Sequence, residues 1–502
     1  MRNPIMLVTA TLLLSMTITN AAQATVDEPY AKDLTFGANG MVNDTMVNLN
    51  GSPSTSARPV GQHLALGEDG STVVAALGTK FDTLTGNENY LMVTRYNASG
   101  QRQAWSNPST NYADTTGEYL FVPPNAAPDN LRIAAVKDVK IGPYGDINVL
   151  IDAWEPAGDT TDSLVVTFGE DGAYKGIVTH MATPFVDDLG VAMIIPGSSM
   201  YIVSSHGSLV DVGLYSMNYS DGVPDPDAGY GNSGKTSQSL FNCQKVIAGQ
   251  PVTVPCPLRA RRALLSGTST MPLYVAGEYD QGSGTESSVF VLSFNGTPGA
   301  PTTGFPITWG FAGINDGMHG LALRYKFNIP TRPQHELYLL DGFQRPCGYG
   351  FVVARFNADT GAFLNRSYTK GGSTTTDPND CASTTSLLAN DLALAHDYYY
   401  ANRYIAVVGG QSSGEPFTGQ NAFLALIDSE NMHSEVQVQA FTNHAGQYPD
   451  DTMLHAVQGR VVDGSYTYTA TGVTWNYDHA ASQVVTMRLQ ADRIFQDGLA
   501  AN

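Results

Sequence analysis

Short runs of β-branched and aromatic residues, alternating with small polar ones and closed by Asn, Asp or Gly, recur along the whole chain. Val93-Thr94-Arg95-Tyr96-Asn97-Ala98-Ser99-Gly100 is the clearest, a strand pattern that runs into a turn. Similar pieces stand at Val165 to Gly172, Gly213 to Gly222, Phe290 to Gly299 and Val352 to Gly361, with weaker copies at Phe423 to Glu430 and Val484 to Ala491. Upstream of most copies lies a second strand pattern, at Thr72 to Leu77, Ile147 to Ile151, Tyr201 to Ser204, Leu273 to Gly277, Glu336 to Leu340, Tyr404 to Gly409 and Thr467 to Gly472. A third strand precedes that one where the chain allows it, as at Ala134 to Ile141 and Leu388 to Leu394.

Units of several short strands, spaced roughly fifty to eighty residues apart, are the pattern of radial repetition. One unit alone would expose an apolar sheet face. Neighbours packed around an axis cover those faces and leave only short, protected edges. The pattern predicts an all-β fold, a single β-propeller of about seven repeats, each a blade of short antiparallel strands, over residues 25–491. A tandem of β-sandwiches is the competing architecture, and no Pro-rich or charged linker divides the chain into equal parts as that would require.

The ends read differently. Met1 and Arg2, the apolar run Ile5 to Ile18 and Ala22-Gln23-Ala24 have the three parts of a secretory signal, so residues 1–24 are expected to be removed on export. No later apolar run is long enough to span a bilayer. Residues 492–502 form a short C-terminal tail, whose Asp492-Arg493-Ile494-Phe495-Gln496-Asp497-Gly498 is similar to an ending of exported proteins in some Gram-negative bacteria. The mature chain is expected to be a soluble monomer, secreted or periplasmic, with cell-surface association left open.

Composition narrows the partners. The 26 basic and 46 acidic residues give a formal charge of −20, and loss of Arg2 with the signal makes it one unit more negative. Such a chain is not expected to bind nucleic acid or an anionic lipid surface. Charged residues make up only 14%, while Gly, Ser, Thr, Asn and Tyr are abundant, which suits tight turns and twisted strands rather than surface helices. The four cysteines are expected to pair with their sequence neighbours in an oxidising compartment, Cys243 with Cys256 and Cys347 with Cys381, although three pairings are formally possible. They lack the Cys-x-x-Cys or nearby His of a zinc site.

Asp33-Leu34-Thr35-Phe36-Gly37-Ala38-Asn39-Gly40-Met41-Val42, then Leu64 to Ala76, then Val93 to Gly100, resembles the delta-60 repeat of bacterial exported proteins. A second copy of the opening phrase stands at Asp227-Ala228-Gly229-Tyr230-Gly231-Asn232-Ser233-Gly234-Lys235. The resemblance is good for the first unit, partial for the third to fifth and poor for the last two. It implies a propeller-like fold and a secreted or surface-attached bacterial protein, and brings no catalytic residues with it.

Three motifs look chemical. Gly229 to Thr236 satisfies the phosphate-loop pattern, but Pro224-Asp225-Pro226-Asp227 precedes it where a buried strand is needed, and no helix pattern follows. Gly410-Gln411-Ser412-Ser413-Gly414 matches the nucleophile elbow, yet Glu415-Pro416-Phe417-Thr418-Gly419 does not start the helix that motif demands, so a hairpin is expected. Asp225-Pro226-Asp227 and Asp377-Pro378-Asn379-Asp380 are oxygen-rich, read as turns before calcium loops. Asn357 to Ala362 is a single copy of a quinone-propeller phrase without its tryptophan, and the ten histidines show no metal-ligand spacing. No cofactor, metal or catalytic residue is therefore assigned. Two functions stay open: a non-catalytic propeller, binding a protein, peptide or glycan or acting as a scaffold, and a propeller hydrolase or lyase acting on an extracellular polymer with carboxylates from different blades.

Overall fold

The alternating runs form strands because β-branched and aromatic side chains fit a pleated, half-buried surface, and the Asn, Asp and Gly positions close the hairpins. Four turns share one chemistry. Asn97, Asp171, Asn357 and Asp428 each accept a hydrogen bond from a backbone N–H two residues on, at 3.0, 3.0, 2.9 and 2.9 Å. The left-handed position that follows is taken by Gly100 (φ 73°), Gly172 (φ 89°) and Gly361 (φ 72°), and in the sixth copy by Met432 (φ 60°).

The computed structural model describes residues 30–491 except for loop segments, the longest being 46–59, 107–117, 122–130, 295–304, 326–334, 376–384 and 440–450. The signal expected at 1–24 and the tail at 492–502 lie outside the described residues. All described elements are strands, and no helix among them is long and apolar enough to cross a membrane.

The strands form antiparallel blades. Blade 1 is Val60–Leu66, Thr72–Asp82, Gly86–Tyr96 and Glu118–Phe121. Blade 2 is Arg132–Ile141, Ile147–Glu155, Thr160–Phe168 and Tyr174–Met181. Blade 3 is Leu189–Ile194, Ser199–His206 and Leu209–Met217, with Pro224–Pro226 and Lys235–Ser239 both pairing along its outer side. Blade 4 is Leu258–Leu265, Leu273–Asp280, Ser287–Phe294 and Ile307–Trp309. Blade 5 is Gly317–Tyr325, His335–Arg345, Gly348–Asn357 and Phe363–Lys370. Blade 6 is Ser386–His396, Ala401–Ser412, Asn421–Asp428 and Ser434–Gln439, joined at its outer edge to blade 5 through Ser373–Thr375. Blade 7 is Asp451–Val462, Ser465–Asn476 and Ala481–Ala491, completed by Tyr30–Lys32 and Met41–Thr45 from the other end of the chain.

The first strand of each blade is innermost and packs against the first strand of the next, with blade 7 returning to blade 1. This is a closed seven-bladed β-propeller. Its core lies between the blades rather than at the centre. Leu91 and Val93 meet Ile133 and Val149 between blades 1 and 2, Phe351 meets Phe423 between 5 and 6, and Val74 and Tyr90 meet Ala456 and Val484 where the ring closes. The strand part of every turn copy read from the sequence lies in the third strand of its blade, and every second pattern falls in the second strand.

The opening phrase of the chain forms the closing turn. Phe36 N–H bonds the Asp33 carbonyl at 2.9 Å, and Asp33 Oδ1 accepts Thr35 N–H at 3.0 Å. The second copy repeats it: Tyr230 N–H bonds the Asp227 carbonyl at 2.9 Å, and Asp227 Oδ1 accepts Gly229 N–H at 2.9 Å.

Cys243 and Cys256 form a disulfide with their Cα atoms 5.0 Å apart, across the hairpin Asn242–Ile247 and Gln250–Pro255 between blades 3 and 4. The other expected pair, Cys347 with Cys381, lies outside the described residues. Because the bridged hairpin is a separate two-stranded sheet, Cys243→Ser is expected to lower stability by about 2–4 kcal/mol while leaving the blades folded. Urea unfolding, with thiol titration of the native protein, checks this; four reactive thiols in the native wild type would refute it.

Candidate functional site

All seven inner strands slip register against their neighbours. Extra residues enter at Gly61 and Gln62, at Ala134 and Lys137, and at Val191, Arg261, His319, Asn390 and His455. A bulge bends the strand, re-aims a side chain and frees backbone groups from the ladder. Those groups need new partners.

The partners come from the preceding blade. Asp138 and Asp152 of blade 2 accept Met193 N–H at 2.9 Å and Gly190 N–H at 2.7 Å in blade 3. Glu278 of blade 4 accepts Met318 N–H of blade 5 at 3.0 Å, and Asp391 of blade 6 accepts Val457 N–H of blade 7 at 3.0 Å. Asn390 donates to the Leu454 carbonyl at 2.7 Å, and Gln458 of blade 7 donates to the Leu64 carbonyl of blade 1. Each of these carboxylates also meets a cation: Lys140 with Asp138 at 2.6 Å, Lys137 with Asp152 at 3.1 Å, Arg261 with Glu278 at 3.4 Å and Arg262 with Asp391 at 3.5 Å. Arg262 belongs to blade 4 and Asp391 to blade 6, so this pair reaches past blade 5 across the channel. Arg262 also donates to the Asn390 carbonyl at 3.3 Å.

Three inner-strand histidines stand among these charges. Burial holds His63 down to about 3, opposed by Asp138. Burial, helped by Arg262 and Arg261, holds His319 at about 4, and burial alone holds His455 at about 4. All three are neutral at neutral pH.

Beside the Arg262 bridge, where the inner strands of blades 5, 6 and 7 begin, a cavity of about 430 Å³ opens. His319, Phe343, Tyr349, Leu388, Asn390 and Met453 line it together with glycines, and among the described residues no charged side chain does. Gly342 makes room for the imidazole: a Cβ there would lie 2.8 Å from His319 Nε2. At the opposite end of the ring, where the inner strands of blades 1 to 3 finish, a second cavity of about 560 Å³ has a mixed lining in which Ile141 and Ile195 stand beside charged residues. Its rim holds Arg95 with Glu170 at 3.3 Å and Arg460 with Glu68 at 3.7 Å.

A third group lies on blade 3. His206 Nδ1 is 3.2 Å from Asp188 Oδ1 and 2.7 Å from Asp211 Oδ2, with both aspartates fully buried. Ser237 Oγ donates to Asp211. The serine thus bonds the carboxylate rather than the imidazole, and this is not the order of a serine hydrolase, in which the base must take the serine proton.

The sequence motifs resolve as turns and strands. Lys235 opens a strand, not a helix, and its ammonium bonds the His180 carbonyl. Gly410 to Ser412 end a strand of blade 6, while Ser413 and Gly414 lie outside the described residues. Asp225 and Pro226 pair with blade 3, and Asp377 to Asp380 lie outside the described residues. Asn357 to Ala362 is a hairpin turn.

No family model and no curated protein matches the chain. Solved structures similar to it include the polysaccharide lyase Uly1, at 11% identity and a TM-score of 0.44, covering 89% of this chain and 95% of the lyase. Another is an α-L-arabinanase of Penicillium chrysogenum, at 12% and 0.36, covering 89% and 98%. The extracellular domains 1–2 of Drosophila Semaphorin 1a match at 9% and 0.40, covering 90% and 88%. Likenesses this loose carry no argument about activity.

Proposed function

We propose that this is an exported, non-catalytic propeller that binds a neutral ligand, a glycan or an uncharged peptide segment, in the 430 Å³ cavity over blades 5 to 7. The observation that carries the reading is the contrast between a channel bridged by Arg262 and Asp391 and an adjoining cavity that is open, largely apolar and, among the described residues, without a charged wall. Such a cavity suits a neutral group, held by a few polar contacts among apolar ones. The channel carboxylates are spent on backbone N–H groups and on Lys and Arg, an arrangement that supports the bulges rather than hydrolysis by a pair of acids. The signal-like N-terminus and the delta-60 resemblance support export.

The test is a panel of neutral oligosaccharides and peptides, screened by calorimetry against the wild type, His319→Ala and Gly342→Ala. One ligand is expected to bind the wild type, with affinity at least tenfold weaker in both variants, unchanged between pH 6 and 8 because His319 stays neutral, and recovered intact after incubation. Binding that neither variant weakens, or conversion of the ligand, would overturn the reading.

A further inference from the structure

The strongest feature outside the cavity is the buried group on blade 3. Its side chains share one sheet face by register. Ser204 lies opposite Asp211 and Asp211 opposite Ser237, and His206 follows Ser204 by two residues. Directly opposed residues, and residues two apart, project to the same face. Asp188 joins them from just before the inner strand, held by its N–H on the Thr161 carbonyl of blade 2 at 2.7 Å.

Two observations set this group apart from an ordinary charge cluster. The donor atoms Asp188 Oδ1, His206 Nδ1 and Asp211 Oδ2 all lie within 4.8 Å of one another, with the imidazole 3.2 and 2.7 Å from the carboxylates. Ligands about 2.1 Å from a common tetrahedral centre stand about 3.4 Å apart, so these atoms need only small shifts to share an ion. Independently, Ser204 is fully buried on the same face, and its Oγ has no hydrogen-bond partner among the described residues. A wholly buried hydroxyl left unpaired is costly, and it lies directly across the strand pair from Asp211. Lys235, farther along this face, gives its ammonium to the His180 carbonyl.

We propose that Asp188, His206 and Asp211 form a binding site for a first-row divalent cation, zinc being the best fit, with a water in the fourth position that hydrogen-bonds Ser204 Oγ. One imidazole nitrogen with two carboxylates suits zinc or manganese and is a poor set for calcium, which takes oxygen ligands. The ion's positive charge is favourable beside the two buried carboxylates, on which the Lys235 ammonium also acts, and His206 presents Nδ1 as a ligand. The site lies on blade 3, away from the cavity over blades 5 to 7, so its fate is independent of the ligand-binding reading.

Protein stripped with a chelator and titrated with zinc chloride by calorimetry tests this. One equivalent is expected to bind with micromolar or tighter affinity and to raise the melting temperature. His206→Gln and Asp211→Asn are expected to weaken binding by at least about a hundredfold, and Ser204→Ala by about tenfold, as loss of a ligand or of its support does. Absence of binding at about 1 mM zinc, or wild-type affinity in His206→Gln, would overturn the proposal. Should those variants not fold, X-ray absorption of the zinc-loaded wild type decides. One imidazole among oxygen ligands is expected; sulfur, or two or more imidazoles, would refute the site.

Discussion

Replacing Arg488 with methionine is expected to lower stability by about 3–5 kcal/mol and to loosen the ring first at the junction of blades 7 and 1. Arg488 stands on the third strand of blade 7 and is 2% exposed. Its guanidinium donates to the Ala98 and Gly70 carbonyls of blade 1 at 2.6 Å each, to Thr72 Oγ1 at 3.2 Å and to Thr469 Oγ1 at 3.4 Å. It also lies 4.2 Å from the centre of the Phe36 ring, a cation over an aromatic face. One side chain thus holds together the last blade, the first blade and the N-terminal segment that completes the last. Methionine fills much of the volume but takes the donor from the buried Gly70 carbonyl, the part-buried Ala98 carbonyl and two buried threonine hydroxyls, at up to about 1–3 kcal/mol each before relaxation. Arg488→Lys is expected to recover only part, because an ammonium does not reproduce the planar fork. Urea unfolding measures the loss, and hydrogen exchange locates it, with amides of Met41–Thr45 and Ala481–Ala491 exchanging before those of blades 3 and 4. A loss below about 1 kcal/mol would show that the ring closes without this contact.

Stability is expected to fall steeply as pH drops from about 6.5 toward 4. Burial holds His63 and His180 at about 3 and His319 and His455 at about 4, against the ordinary 6.5. The sign follows from proton counts. Below pH 6.5 the unfolded chain takes up protons that the folded chain refuses, so the histidines' contribution is fully present above 6.5 and is lost progressively toward 3 to 4. Each histidine adds up to about 1.4 kcal/mol per pH unit in that window. Burial raises Asp152, Asp211 and Asp391. Raised carboxylates act in the opposite sense just above their ordinary range and offset part of the loss. A decline of several kcal/mol between pH 6.5 and 4.5 is expected from urea titrations at stepped pH, and His180→Gln should flatten the slope by about one proton. A flat profile over that interval would refute the burial of neutral histidines.

How far the chain could be read depended on whether neighbouring residues carried the signal. The hairpin turns were legible because an Asx side chain and a left-handed glycine act within a few residues of each other, as at Asn97 and Gly100. The weak sixth copy has a local reason: Met432 occupies the position that glycine takes in blade 5, and its side chain is buried among Phe351, Phe423 and Ile427. The phrase Asp33 to Gly40, similar to a repeat opening, does form a recurring turn, yet its neighbouring strands belong to blade 7 and not to blade 1. Nothing near Asp33 names its partner, because the strand it precedes pairs with residues more than four hundred positions away.

The bulges and the groups they gather left no comparable trace. Lys137, Arg261, His319, Asn390 and His455 share no single residue type that would mark a bulge, and one extra residue in a strand does not disturb an alternating pattern enough to be seen. Asp188, His206 and Asp211 come from a loop, the end of one strand and the start of the next. By itself the sequence determined the strand class, the turns and the repetition around an axis, since periodicity and turn chemistry are local. Ring closure through the N-terminal strands, the Arg262 bridge across the channel, the largely apolar cavity and the Asp-His-Asp group were decided only by the tertiary structure, where blades distant in the chain face one another around a common centre.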